Sequence, residues 1–519
     1  MRLLALLVAF GLSLAQTAYL ITPKGSVQGG VNTGAKVAYF LGIPFARAER
    51  WKAPQPIKTW DGILQATQVG SACPQRPYLT SRLGGYVPPQ SEDCLNLNVW
   101  LPLGTPPQGG WPVMVWIHGG SFTGGAAGEP VYDGTALASR GVIVVSLNYR
   151  LGVFGYLALP ALQVEDPQKR VGNYGTLDQL EGLRWVQENI AAFGGDPHNV
   201  TIFGQSAGGM SVCTLLGSPL SKGLFQKAIL ESGGCEYVKT LQEGFKFGEA
   251  LSKQLGCDPA DLACLRALPR EKFFPSEGSP AYEAILKLIE GVNPGTPGTG
   301  ETFAAGPYKP HIDGVVLDQT PLQALREGRA RGIPLLAGST TQEAWLERFS
   351  VSSWEEFHQK VKLYLPKQAD QVLEDYRRRY SNPGDAWGYL VGNYVLFCPT
   401  YQALRAQSAF APTFAYVFDY TSPILPVLGS FHGAELPWLF GTQTVWPFFT
   451  LYLSDAAQQE IQDAAGRMQA YWINFAKNDT PGGWPRWPQY TSSKVLWFAP
   501  KLSLRPDPYT ERCMGLRGE

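Results

Sequence analysis

The sequence predicts an α/β fold, a mostly parallel central sheet flanked by helices. Two observations carry this. Short apolar runs bounded by turn residues alternate with longer helical patterns, and buried strands alternating with helices give a parallel sheet covered on both faces. One run then ends in Gly204-Gln-Ser-Ala-Gly208, a G-x-S-x-G pattern where a strand should break sharply into a helix.

The elements follow in chain order. Trp111-Pro-Val-Met-Val-Trp-Ile117 reads as a strand, and Val142 to Asn148 as the next. Thr176 to Phe193 carries a helical pattern. Thr201 to Gly204 is a strand running into the Ser206 turn, and a helix follows to Leu216. Ala228 to Ser232, Ile333 to Gly338 and Thr413 to Asp419 are further strands. Two helix-rich segments interrupt the alternation, at about 235–330 and 350–410. The first holds the glycine- and proline-rich loop Gly291 to Gly300, and the second the charged patch Arg377-Arg-Arg379. Lying between strands, they read as insertions over the active-site end of the sheet, not as separate domains. Residues 16–519 are thus expected to form one catalytic domain.

Composition bounds the function. The 519 residues include 43 basic and 43 acidic side chains, so net charge is zero and no nucleic-acid partner is indicated. Arg2, the apolar Leu3 to Leu14 and the small-x-small site Ser13-Leu-Ala15 read as an export signal over residues 1–15, with an uncleaved anchor as the alternative. No second long apolar segment appears, so no stable membrane association is expected after cleavage. The protein is expected to be secreted, extracellular or periplasmic. Eight cysteines fit an oxidising compartment, although spacing alone leaves their pairing open. No C-x-x-C pair occurs and the five histidines are scattered, so neither a metal nor another cofactor is expected.

A serine hydroxyl attacks well only when a base takes its proton. Chains with this elbow place the acid and then the histidine downstream of the serine. His118, His198 and His311 come too early, and His358 lies in an amphipathic helix. His432, in the loop after the Thr413–Asp419 strand, is the expected base. Glu343, the first carboxylate beyond the Ile333–Gly338 strand, is the expected acid, while Glu347 reads as a surface charge. Backbone N–H groups are needed to hold the oxyanion. The loop His118-Gly-Gly-Ser-Phe-Thr-Gly-Gly125 follows a strand and offers Gly120 and Ser121, joined by the N–H of Ala207.

These segments resemble the type B carboxylesterases of the carboxylesterase/cholinesterase family, which have the α/β-hydrolase fold. The resemblance spans about Gly25 to Cys513. It includes Phe40-Leu-Gly-Ile-Pro-Phe-Ala46, Ser91-Glu-Asp-Cys-Leu-Asn-Leu-Asn-Val-Trp100, Asn148-Tyr-Arg-Leu-Gly-Val-Phe-Gly-Tyr156, Gly172-Asn-Tyr-Gly-Thr-Leu-Asp-Gln179, Asn189 to Pro197 and the serine elbow. It implies a serine carboxylesterase acting on small-molecule esters, with Ser206, Glu343 and His432 as its triad. Also implied are the disulfides Cys73–Cys94, Cys257–Cys264 and Cys398–Cys513, and a structural ion pair of Glu92 with Arg50. Cys213 and Cys235 match no family bridge and are read as buried thiols, a further disulfide being left open. A non-enzymatic recognition protein on the same fold, an amidase and a long-chain lipase are the rival readings.

The sequence departs from the family pattern at several points. Gln205 precedes the nucleophile where glutamate is common, so one negative charge near the histidine is lost and imidazolium is favoured less. Glu343 is followed by Ala344 where glycine is common, and Ser121 stands in place of the third glycine of the oxyanion loop. The segment between Cys73 and Cys94 holds Tyr78 and Tyr86 but no tryptophan, which disfavours the cation–π capture of a choline ester. Two N-x-S/T sequons occur. Asn199 begins a packed strand, and Asn478 is open to a glycan in a glycosylating host.

Overall fold

The computed structural model describes residues 17–76, 87–292, 306–423, 426–445, 453–491, 493–513 and 516. The export signal, Tyr78, Tyr86 and the loop from residue 293 to 300 lie outside the described residues.

The sheet is built from β1 (Thr17–Thr22), β2 (Gly25–Asn32), β3 (Val37–Pro44), β4 (Asn96–Pro102), β5 (Trp111–Ile117), β6 (Ile143–Leu147), β7 (Gly195–Gln205), β8 (Lys227–Glu231), β9 (Leu335–Thr340), β10 (Thr413–Phe418), β11 (Lys494–Phe498) and β12 (Ser503–Pro506). Their spatial order is β1-β2-β3-β4-β6-β5-β7-β8-β9-β10-β11-β12, and a short strand, Ile63–Gln65, pairs with β2. From β6 across to β11 every pairing is parallel. The N-terminal strands and β12 pair antiparallel and flank this block. The expected parallel sheet is therefore present, with an antiparallel wing at each side.

Parallel strands buried on both faces must be apolar at successive positions, because side chains alternate between faces. In β5, Val113, Val115 and Ile117 enter one core, while Met114 and Trp116 enter the other. The first core is closed by helices such as α1 (Tyr174–Asn189) and α2 (Ala207–Gly217), the second by the long α8 (Asp455–Asn478), through Met468, Trp472 and Phe475. Ser454 caps α8 by accepting the N–H of Ala457. The helix expected over Thr176 to Phe193 begins two residues earlier and tightens into a 3₁₀ turn over Ile190–Phe193.

Helices make up much of the described part of both interrupting segments. Between β8 and β9 lies α3 (Leu241–Gln254), with a capping box in which Thr240 and Glu243 bond each other's backbone. Between β9 and β10 lie α4 (Trp354–Tyr364), α5 (Ala369–Arg379), α6 (Pro383–Gly392) and α7 (Cys398–Ser408).

The three implied disulfides are present: Cys73–Cys94, Cys257–Cys264 and Cys398–Cys513. The first and last close loops of 21 and 115 residues, each stabilising the fold by about 3–5 kcal/mol through lost chain entropy in the unfolded state. The reading of Cys213 and Cys235 as thiols is corrected. They form a fourth disulfide, with Cα atoms 5.1 Å apart. Cys213 sits on α2, and Cys235 four residues beyond β8. The close approach of Gly209 to Gly233 brings these two stretches together. The Arg50–Glu92 pair is also present, with Arg50 Nε 2.7 Å from Glu92 Oε2. Arg50 further donates to the carbonyls of Arg266 and Leu268, tying the N-terminal wing to the segment after β8.

Titration of the denatured, unreduced protein with a thiol-reactive chromogen is expected to find no thiols, and reduction should then release all eight. Two thiols before reduction would contradict the Cys213–Cys235 bond.

Candidate active site

Four expected site segments follow the carboxyl ends of parallel strands. The glycine loop follows β5, Ser206 follows β7, Glu343 follows β9, and His432 follows β10. Ligands of open α/β sheets bind at that edge.

Ser206 occupies the turn between β7 and α2, with φ 58° and ψ −126°. Such a conformation costs a non-glycine residue about 1–3 kcal/mol and persists only where its surroundings enforce it. The enforcing contacts are backbone to backbone. Added β-carbons at Gly204 and Gly208 would lie 2.6 Å from the Gly208 carbonyl carbon and 2.0 Å from Ile117 O. No side chain fits at either place, so both glycines of the motif serve close packing. Ser206 N–H is held by Glu231 O at 2.9 Å, and its own carbonyl accepts the N–H of Met210.

The glycine loop lies beside this turn. A β-carbon at Gly119 would come within 3.0 Å of Ser206 Cβ. Gly120 takes φ 114°, and its carbonyl accepts the N–H groups of Thr123 and Gly124 at 2.9 Å. Ser121 takes φ 53°, so the loop makes its turn without the third glycine. Among the described residues the N–H groups of Gly120, Ser121 and Ala207 bond no backbone carbonyl. Ala207 is also the first residue of α2, where the helix dipole presents its positive end.

Glu343 and His432 meet directly. His432 Nδ1 lies 2.6 Å from Glu343 Oε2, and the Glu343 side chain is fully buried. The other carboxylate oxygen accepts Ser232 Oγ–H at 2.6 Å and Thr340 N–H at 2.7 Å. The loops carrying the two residues are stitched together. Gln342 N–H donates to Ser430 O, Ser430 N–H donates to Gln342 Oε1, and Trp345 Nε1–H donates to Val427 O. An imidazole held this way keeps a proton on Nδ1 and leaves Nε2 able to accept another.

Gln205 links the serine turn to this pair. Its Nε2 lies 3.1 Å from His432 Nε2 and 3.4 Å from His432 Nδ1. Such similar separations from both ring nitrogens place the amide over the ring face, out of the plane of the Nε2 lone pair. A buried, uncharged amide therefore covers the ring.

Sequence reading missed two further carboxyls behind the site. Glu231, at the end of β8, is fully buried, and burial pushes it up to about 8 although Trp472 Nε1–H bonds it at 2.8 Å. Glu435 has no exposure. Burial, and then the charges of Glu343 and Glu231, hold it well above the usual carboxylate range. Burial thus favours the neutral form of both acids. Ser232 was also missed, because nothing local distinguishes a serine one residue past a strand. His311 and His358 lie elsewhere. His311 is buried on the Gly172 carbonyl, and His358 pairs with Asp370 at 2.8 Å. His118 is buried beneath the glycine loop. The side chain of Asn199 is engaged by Lys227, which disfavours a glycan there, whereas Asn478 is exposed at the end of α8.

Comparison with known proteins gives a consistent picture. A profile described as the Carboxylesterase family matches residues 16–513. Para-nitrobenzyl esterase of Bacillus subtilis (strain 168) is 36% identical over 95% of this chain and 96% of its own length. Fumonisin B1 esterase of Sphingopyxis macrogoltabida is 35% identical over 90% of this chain and 84% of its own. A solved PNB esterase structure superposes with a TM-score of 0.82 at 34% identity, covering 96% of this chain and 99% of that one.

The buried acids predict a pH signature. Glu231 has an ordinary value of 4.5 and titrates at about 8 in the fold. A raised value means its contribution is full below about pH 4.5 and is lost as pH rises towards 8, a loss of about 5 kcal/mol. Gln mimics the neutral acid. The melting temperature of Glu231→Gln minus that of wild type should therefore rise between about pH 5 and about pH 8 and level off above it. A difference independent of pH would show that Glu231 is not held neutral.

Proposed function

Because the chain belongs to the carboxylesterase family and is a carboxylic ester hydrolase, we propose that it cleaves its substrates through an acyl-enzyme on Ser206, with His432 and Glu343. The observation that supports this reading is the 2.6 Å pair of His432 Nδ1 with buried Glu343, beside Gln205, the residue before Ser206.

The reaction runs in two halves. His432 Nε2 takes the proton of Ser206 Oγ as that oxygen bonds to the ester carbonyl carbon. The carbonyl oxygen becomes an oxyanion and receives the N–H groups of Gly120, Ser121 and Ala207. The intermediate then collapses, and His432 gives its proton to the departing alcohol. In the second half His432 deprotonates water, which attacks the acyl carbon, and Ser206 leaves with its proton restored. Glu343 holds the imidazole tautomer and balances the imidazolium formed twice in each turnover. Gln205 adds no charge above that ring, so the balance falls on Glu343 alone.

Export is part of the proposal. Four disulfides suit an oxidising compartment, and no helix among the described residues is long and apolar enough to cross a membrane. Residues 16–519 then act as one catalytic unit on small-molecule esters.

Ser206→Ala should lower turnover of a short p-nitrophenyl ester by at least about 10⁴ while leaving the melting temperature near that of wild type. Turnover retained by the folded variant would end the assignment.

A further inference from the structure

The glycine loop is held from outside by a side chain that none of the chemistry above uses. Gln75 lies just past Cys73 and is 5% exposed. Its Nε2–H donates to Gly125 O at 2.9 Å, and its Oε1 accepts Gly125 N–H at 2.8 Å. The amide and the Gly125 backbone thus close a cyclic pair. The second Nε2 proton goes to Cys73 O at 3.1 Å, and Gln75 N–H donates to Gln90 Oε1 at 3.0 Å. The side-chain bonds of the clamp need two donors and one acceptor at fixed places; a carboxamide supplies all three, whereas a carboxylate supplies only the acceptor.

Gly125 ends the loop that begins at His118. A β-carbon there would lie 2.5 Å from Gly119 O and 2.6 Å from His118 Nδ1, so the two ends of the loop pack on each other. The His118 ring stacks on Tyr149 at 4.5 Å, and Tyr149 O–H donates to His118 O at 2.9 Å. The start of the loop therefore rests on Tyr149, and its end rests on Gln75. Between these supports stand Gly120 and Ser121, both at positive φ.

We propose that Gln75 is the positioning residue of the oxyanion loop: through Gly125 it fixes the direction of the Gly120 and Ser121 N–H groups, and the Cys73–Cys94 disulfide fixes Gln75. This rests on the reading of those N–H groups as the oxyanion site. Gln75 touches no reacting atom. Its loss should act on transition-state stabilisation, because oxyanion N–H groups stabilise the tetrahedral oxygen far more than the ground-state ester.

Two near-isosteric variants test this. Gln75→Glu keeps the shape but sets carboxylate oxygens against the carbonyls of Gly125 and Cys73, and Gln75→Met removes both donor and acceptor. In each folded variant kcat for p-nitrophenyl butyrate should fall about 10- to 100-fold with KM changed less than about threefold. Affinity for an alkyl trifluoromethyl ketone, whose carbonyl carbon bonds to Ser206 Oγ as its oxygen becomes an oxyanion, should fall by the same factor as kcat/KM. A folded variant with kcat and ketone affinity within about twofold of wild type overturns the clamp, as does a loss confined to KM. Organophosphate labelling of wild type separates this from the underlying reading. Labelling at Ser206 with unimpaired variants rejects the clamp alone, whereas no labelling at Ser206 rejects the site itself.

Discussion

The proposed catalytic edge depends on one unfavourable backbone conformation, the positive φ of Ser206. The chain leaves β7, turns at Ser206 and enters α2 with Gly204 and Gly208 pressed against backbone at distances no β-carbon allows. That packing requires β5 alongside, because Ile117 O is the atom that meets Gly208. It requires β8 on the other side, because Glu231 O holds the Ser206 N–H. The parallel block of strands thus acts as a vice around one residue. Its energy comes from the apolar side chains on both faces, and the cost of the strained turn is small beside it.

Charge at this edge is arranged by exclusion. Three glutamates lie buried near one another, and Glu343 is the one that meets an imidazole and two neutral donors among the described residues. Burial keeps Glu231 and Glu435 protonated. A neutral amide covers the imidazole face where a carboxylate would have added a second counter-charge. In the proposed reaction the burden of forming imidazolium would fall on the His432–Glu343 pair, and backbone dipoles at the glycine loop and the start of α2 would serve the opposite charge on the substrate.

Much of this was legible in the residues because the demands are local. Apolar runs such as Val142 to Leu147 announce strands buried on two faces, and the glycines around Ser206 announce a turn that excludes side chains. Chain order then left His432 and Glu343 as partners. The N-terminal wing was not legible. Gly25-Ser-Val-Gln-Gly-Gly-Val-Asn32 carries few apolar residues, since its strand owes its place to pairing at the margin of the sheet. The Cys213–Cys235 bond was hidden because spacing carries no geometry; it follows from α2 packing beside the segment after β8. Glu231, Glu435 and Gln75 were hidden for a related reason. Their side chains are of types usually found on surfaces, and only tertiary contact makes them internal.

The proposed mechanism turns on the direction in which the Ser206 turn faces. A crystal structure of the protein inhibited by a small alkyl phosphonate would show it. Phosphorus is expected on Ser206 Oγ, with the phosphoryl oxygen within hydrogen-bond distance of the N–H groups of Gly120, Ser121 and Ala207, and His432 still on Glu343. Phosphorus on another residue, or a phosphoryl oxygen pointing away from those three groups, would contradict it.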